Sequence, residues 1–233
     1  MSSSLSASPV RQPATRSQKA GTSRDAETPA LSRREIQRRE THRALITAAM
    51  TLLAAKGFEE TTTDEIAIVA GVSRRTLFRY FPTKADIVTA WTQQMTDVLR
   101  VTVNACADGT PPQDMIRIAL ETVVPHIAKT QAESYAFVYL IERTPALLPV
   151  SLRKYAQWEE SLASALLLRF PDMPDGRLAF RIAARSGVAA FRTAVDEWIR
   201  LKGRQPLIPI MQTVMTLQIK LFTFGTTASI QTD

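Results

Sequence analysis

The sequence predicts an all-α fold in two parts, a small front domain built on a helix-turn-helix and a larger helical domain behind it. Three observations carry this. Residues 62–81 read T-T-D-E-I-A-I-V-A-G-V-S-R-R-T-L-F-R-Y-F, two short helical patterns that flank a glycine turn, each opening on a capping residue. From residue 84 onward apolar residues recur at helical spacing and are punctuated by Pro and Gly. No stretch of useful length alternates apolar and polar residues as a half-buried strand would.

The chain has 233 residues, 45% of them hydrophobic and 22% charged, enough for one large or two modest cores. Its net charge of +7 suits an anionic partner, nucleic acid or a membrane surface alike. Residues 31–90 hold ten basic and seven acidic side chains and residues 91–233 hold fifteen and thirteen, so the excess is denser in front. A single cysteine, Cys106, forms no intrachain disulfide and reads as packing, which fits a reducing cytoplasm. No run of ~18 apolar residues is present to span a membrane. A cytoplasmic protein is expected.

Residues 1–31 form the first expected unit, a disordered basic tail. They are rich in Ser, Ala, Thr and Pro, carry Arg11, Arg16, Lys19 and Arg24, and hold too little apolar surface to offset the entropy of ordering. An inert extension, a basic arm reaching phosphates or a minor groove, and a transit-type leader all share this composition.

Residues 32–91 make up the front domain. Its first helix covers residues 32–56, opening on Arg33, Arg34, Arg38 and Arg39 and turning apolar through Leu45, Ile46, Ala49, Leu52 and Leu53 before Gly57 stops it. The basic half either skirts a DNA backbone or is a solvated face shared with Glu35 and Glu40. His42 has no second metal ligand nearby and reads as a surface or boundary residue. Thr62 and Glu65 then spell a capping box, Gly71 supplies the turn with Val72 at its corner, and Ser73 caps the next helix. On that helix Leu77 and Phe81, four apart, anchor one side, while Arg74, Arg75, Thr76, Phe78, Arg79 and Tyr80 lie mostly off the stripe. Arginine forks match guanine edges or phosphates, and a Tyr hydroxyl matches a phosphate oxygen. Three arginines on a surface helix are by themselves an ordinary solvated face. The capped helix, the A-G-V-S turn and the anchored pair favour DNA. A further helix restarts at Thr83, where Lys84 in the first turn opposes the helix dipole unless a phosphate faces it.

From residue 38 to 91 the chain resembles the homeodomain-like DNA-binding domain of the tetracycline-repressor (TetR) family: K-G-F, T-T-T-D-E-I-A, A-G-V-S, R-R-T-L-F-R-Y-F and P-T-K-A-D-I. The resemblance implies DNA contacts at Thr63, Arg74, Arg75, Thr76, Phe78, Arg79, Tyr80 and Lys84, with the capping Ser73 beside them. Many members carry a small residue where this chain has Arg75, so an operator sequence does not transfer.

The rear domain, residues 92–225, reads as helices throughout. The helix from Thr83 runs to Gly109 and joins the domains as a lever. Thr110, Pro112 and Gln113 predict a capped helix to about residue 129 with a kink at Pro125. Helices over residues 132–143, 144–169, 175–202 and 206–224 follow, the second broken by Pro145 and Pro149. The resemblance implies an effector-binding and dimerisation domain whose last two helices pair with those of a second subunit. A stripe of Ala183, Ala184, Gly187, Ala190, Ala194 and Ile199 and an apolar final helix allow that pairing, and equally allow a monomer core. For an effector pocket the candidates by side-chain chemistry are Trp91, Met95, Met115, His126, Tyr135, Phe137, Tyr139, Glu142 and Trp158, a set suited to a hydrophobic or acyl-type molecule.

Signs of enzyme chemistry are missing. The chain has no G-x-x-x-x-G-K, G-x-G-x-x-G or G-x-S-x-G, and its two histidines and one cysteine lie far apart. Glu159-Glu160 and Asp196-Glu197 are adjacent on helices and point about 100° apart. No metal or cofactor is expected. The reading is a homodimeric DNA-binding regulator, by family habit a repressor, that binds a palindromic duplex operator and is released by a small hydrophobic effector. The alternative is a helical small-molecule-binding protein or enzyme whose front domain is basic for other reasons.

Overall fold

A computed structural model describes residues 32–223, and the expectations for residues 1–31 and for the stretch after 223 lie outside the described residues. The helices are α1 (Arg33–Lys56), α2 (Thr63–Val69), α3 (Arg74–Tyr80), α4 (Lys84–Ala105), α5 (Pro112–Ile127), α6 (Gln131–Arg143), α7 (Leu148–Arg169), α8 (Gly176–Arg200) and α9 (Leu207–Thr223). A 3-10 turn, Pro145–Leu147, precedes α7. Among the described residues there is no strand and no helix long and apolar enough to cross a membrane.

Local chemistry starts most of these helices. Ser32 with Glu35, Thr62 with Glu65, Thr83 with Asp86 and Thr130 with Glu133 form complete capping boxes, and the Ser73 hydroxyl accepts from the Thr76 N–H at 3.2 Å. Each such cap stabilises its helix by about 1 kcal/mol. The helix-turn-helix corner is closed by Gly71 at φ +68 and by Val72, whose N–H donates to Ala67 O at 3.0 Å. Ile66, Leu77 and Phe81 are buried beneath it.

One cap falls elsewhere. Thr110 does not cap α5: its hydroxyl turns back to Ala107 O at 2.8 Å, and Pro111 takes the N-cap position without a side-chain bond. The reason is the Pro111-Pro112 pair. Proline holds the residue before it extended, so Pro111 is the last non-helical residue, and Pro112 brings no N–H in need of a cap.

Behind the front helices, α4 packs on α5 and α7, α7 on α8, and α8 on α5 and α9. α1 rests on α4 and α6, which joins front and rear through two helices. The small-residue stripe of α8 belongs within the subunit. Ala184, Ala190, Ala194 and Ile199 are buried, and a Cβ on Gly187 would meet Ile116 Cγ2 of α5 at 2.4 Å. Small side chains let α5 and α8 approach closely, and the large apolar side chains that α8 leaves outside are Leu178 and Ile182.

Candidate nucleic-acid interface and interior pocket

The short helix α3 presents the side chains that the sequence singled out. Ser73, Arg74, Arg75, Phe78 and Arg79 are exposed, while Thr76, Tyr80 and, at the start of α2, Thr63 are half-buried. Arg74 Nη1 pairs with Asp64 Oδ2 at 3.1 Å, and its guanidinium lies 5.4 Å from the Phe78 ring centroid. Both partners of that pair are more than half exposed, so it orients Arg74 more than it stabilises the fold. Arg79 lies 5.6 Å from the Tyr80 ring, and His42 of α1 packs 4.9 Å from Phe81. Burial, helped by the charge of Arg38, holds the His42 imidazole below its ordinary pKa and favours the neutral ring.

Lys84 has a role that the sequence reading did not contain. Its Nζ donates to Phe58 O and, at 2.7 Å, to Thr61 O, and it lies 4.5 Å from the Phe58 ring centroid. The ammonium thereby clamps the loop between α1 and α2 onto the start of α4, with one N–H left over.

α1 completes the surface. Arg33, Arg34, Arg38, Arg39 and Arg43 line one groove with Thr76, Arg79 and Tyr80 of α3, and Glu35 is the only acidic side chain among the described lining residues. Six guanidinium groups against one carboxylate make this groove strongly positive beside the exposed face of α3.

A second feature is interior. A cavity of about 20 Å³ lies among α4, α5, α6, α7 and α8, walled by Trp91, Met95, Val123, Ile127, Val138, Ile141, Lys154, Tyr155, Trp158, Phe191 and Val195. Of the candidates named from sequence, Trp91, Met95 and Trp158 line it, Phe137 packs on Trp91 at 5.9 Å, and Glu142 bonds the lining Lys154. The others lie elsewhere. Met115 is buried off the cavity, His126 is exposed with Nδ1 2.7 Å from Thr122 O, and Tyr135 meets Trp198 edge-on and the exposed Tyr139 at a tilt.

Sequence reasoning missed Lys154. Burial alone would raise the Glu142 pKa, but the Lys154 charge and the bonds from Lys154, Ser151 and Tyr155 bring it below the ordinary carboxylate value. Burial pushes the Lys154 ammonium down against the pull of Glu142, and burial together with the Glu142 charge holds the Tyr155 phenol well above its usual value. Tyr155 is therefore a neutral donor. The signal for Lys154 is its register, four residues after Val150 and four before Trp158 on the buried side of α7.

Residues 45–91 match the family model for bacterial regulatory proteins of the tetR family, and residues 110–220 match that of the MftR C-terminal domain. The HTH-type transcriptional regulator TcmR of Streptomyces glaucescens is 30% identical over 166 residues, 69% of this chain and 66% of TcmR, just under two thirds of its length. The regulator MftR of Mycobacterium tuberculosis is 30% identical over 158 residues, 65% of this chain and 76% of MftR. Among solved structures, Thermus thermophilus FadR in complex with lauroyl-CoA shares 22% identity at a TM-score of 0.54, covering 76% of this chain and 93% of FadR. Bacillus subtilis FadR in complex with stearoyl-CoA shares 16% at 0.55, covering 76% and 97%. These two likenesses show the fold.

Proposed function

Because this chain belongs to the tetR family of bacterial regulatory proteins, we propose that it represses transcription from an inverted-repeat operator as a homodimer and is released by a small hydrophobic effector. The observation that carries this reading is the groove of six arginines beside the exposed face of α3. Phosphate contacts from α1 would fix register, and Arg74, Arg75, Thr76 and Arg79 would face base edges. The alternative of a binding protein or enzyme with an incidental basic front leaves the capped and anchored α3 without a purpose. A DNA-bound repressor acts in the cytoplasm.

Release would run through α4. That helix starts three residues after Phe81, and its Trp91 and Met95 wall the cavity, about 10–16 Å along the axis from Lys84. An effector that enlarges the cavity displaces α4 and, through it, α3. A preference of ~1–3 kcal/mol for the displaced state lowers operator affinity ~5–150-fold. The FadR proteins, solved with acyl-CoA ligands, support a hydrophobic effector on the same architecture.

Selection of bound duplexes from a random pool with the full chain, followed by a salt titration of the winner, tests the proposal. An inverted repeat whose affinity falls ~10³–10⁵-fold between 50 and 200 mM salt is expected for 6–10 phosphate contacts. Failure to enrich any sequence overturns it.

A further inference from the structure

The interior cavity holds more polar chemistry than packing requires. Lys154 is only 8% exposed, its Nζ donates to Glu142 Oε1, and the Tyr155 and Trp158 ring centroids lie 3.9 and 5.6 Å away. Glu142 also accepts from Ser151 Oγ at 2.8 Å and Tyr155 OH at 2.9 Å. Exchanging a buried ion pair for apolar residues is often neutral or stabilising, so stability alone gives no reason for this one. A second observation is independent of the pair. Trp158 is 2% exposed, walls the same cavity, and has a buried Nε1–H with no acceptor among the described residues. A buried donor left unsatisfied bears the full desolvation penalty.

Resting on the reading of the rear helices as an effector-binding domain, we propose that the effector is an aromatic acid whose anionic oxygens take Lys154 and the Trp158 indole N–H in place of Glu142, and that this exchange is the switch. The walls fit such a molecule. Trp91, Tyr155, Trp158 and Phe191 offer faces and edges for a flat ring, and Met95 is a flexible neighbour able to make room, which a cavity for about one water demands. Besides Glu142, the charges around Tyr155 are Lys154, Arg192, whose guanidinium lies 4.8 Å from the Tyr155 ring, and Asp196, which is itself paired with Arg143 at 2.8 Å, so an incoming anion meets two cations and one carboxylate that already has a partner. The exchange has a route to DNA. Glu142 stands on α6, and Ser151, Lys154 and Tyr155 stand on α7. The cluster thus ties α6 to α7, and α6 is also the helix that rests on α1 of the front domain. An anion that takes over Lys154 loosens that tie. A neutral ring of the same size fills the cavity and leaves it in place.

Calorimetric titration of the full chain with 2-naphthoate, and with 2-naphthylmethanol as its neutral counterpart, tests the site. Glu142→Gln removes the competing carboxylate, and the double variant K154M/E142Q removes both charges without stranding either, with thermal melts confirming that each is folded. Glu142→Gln should bind 2-naphthoate about tenfold more tightly than the native protein, as expected when a charge-assisted contact no longer competes with a built-in one. The double variant should bind the acid no better than the alcohol. Equal affinity for acid and alcohol in Glu142→Gln, or undiminished binding of the acid by the double variant, overturns the site. Binding of the acid through Lys154 that leaves the affinity of the selected operator unchanged overturns the switch. Binding through Lys154 by a protein that enriches no duplex upholds the anion site and sinks the repressor reading instead.

Discussion

Arg75 and Lys84 illustrate how differently two cations of one surface are employed. Arg75 is exposed and has no hydrogen bond or ion pair among the described residues, whereas its neighbour Arg74 is held by Asp64. Unsecured at the start of α3, Arg75 is free to fork onto a base. Lys84 is already committed to two backbone carbonyls of the loop between α1 and α2. Arg75→Ala is therefore expected to relax preference at one operator position, losing ~1–3 kcal/mol there, with the unfolding midpoint unchanged. Lys84→Ala should weaken all duplexes alike and also lower stability by about 1 kcal/mol, since two partly buried carbonyls lose their donor. Competition binding against operator and random duplex, paired with urea unfolding, separates the two. Equal loss on both duplexes for Arg75→Ala would remove it from base reading, and an unchanged midpoint for Lys84→Ala would reduce the clamp to a bystander.

At the level of elements, the tightest approach at a described glycine is that of α8 to α5. With Gly187 against Ile116, Gly187→Ala should cost about 1–3 kcal/mol through overpacking. Adding Ile116→Leu, which carries no methyl on its Cβ, should recover part of that loss in a double-mutant unfolding cycle; strict additivity would place the strain elsewhere. This contact also marks the limit of sequence reading. Caps at Thr62, Ser73 and Thr83 are legible in the sequence because a cap involves residues three apart in one segment. The α8 stripe was legible as a stripe, yet whether Gly187 faces α5 or a second subunit depends on a helix some 70 residues earlier in the chain. The cavity divides the same way. Trp91, Met95 and Trp158 were found by side-chain type, but Tyr135 and Tyr139, of the same type, share a face of α6 that turns toward Trp198, while Val138 and Ile141 face the cavity. Lys154 is hard to single out in the sequence because lysine is rarely buried, and only its position between Val150 and Trp158 sets it apart.

For the molecule as a whole, what remains is the face that α8 and α9 leave open. Leu178 and Ile182 on α8 are four apart, as are Leu217 and Leu221 on α9, and each is more than half exposed. Single exposed apolar residues are unremarkable, but two such pairs on helices packed against each other form a patch. One helix-turn-helix reads one half-site, so an inverted repeat with half-sites ~34–36 Å apart requires two chains related by a two-fold axis. Self-association through α8 and α9, as proposed, would supply that geometry and cover the patch in one step. The double substitution Ile182→Glu with Leu217→Glu places charge on the patch without touching the core, since both positions are exposed in the single chain. It should yield a folded monomer by sedimentation and remove the protein-concentration dependence of the unfolding midpoint. Operator affinity should fall by about 10²-fold or more while affinity for a random duplex at low salt falls far less, because each front domain keeps its own phosphate contacts but loses the effective concentration that its partner provides. A variant that still sediments as a dimer and still holds the operator would place the two-fold interface on another face. The anion switch would then have to reach α3 through α1 and α4 within one chain, with no change in the spacing of paired helices.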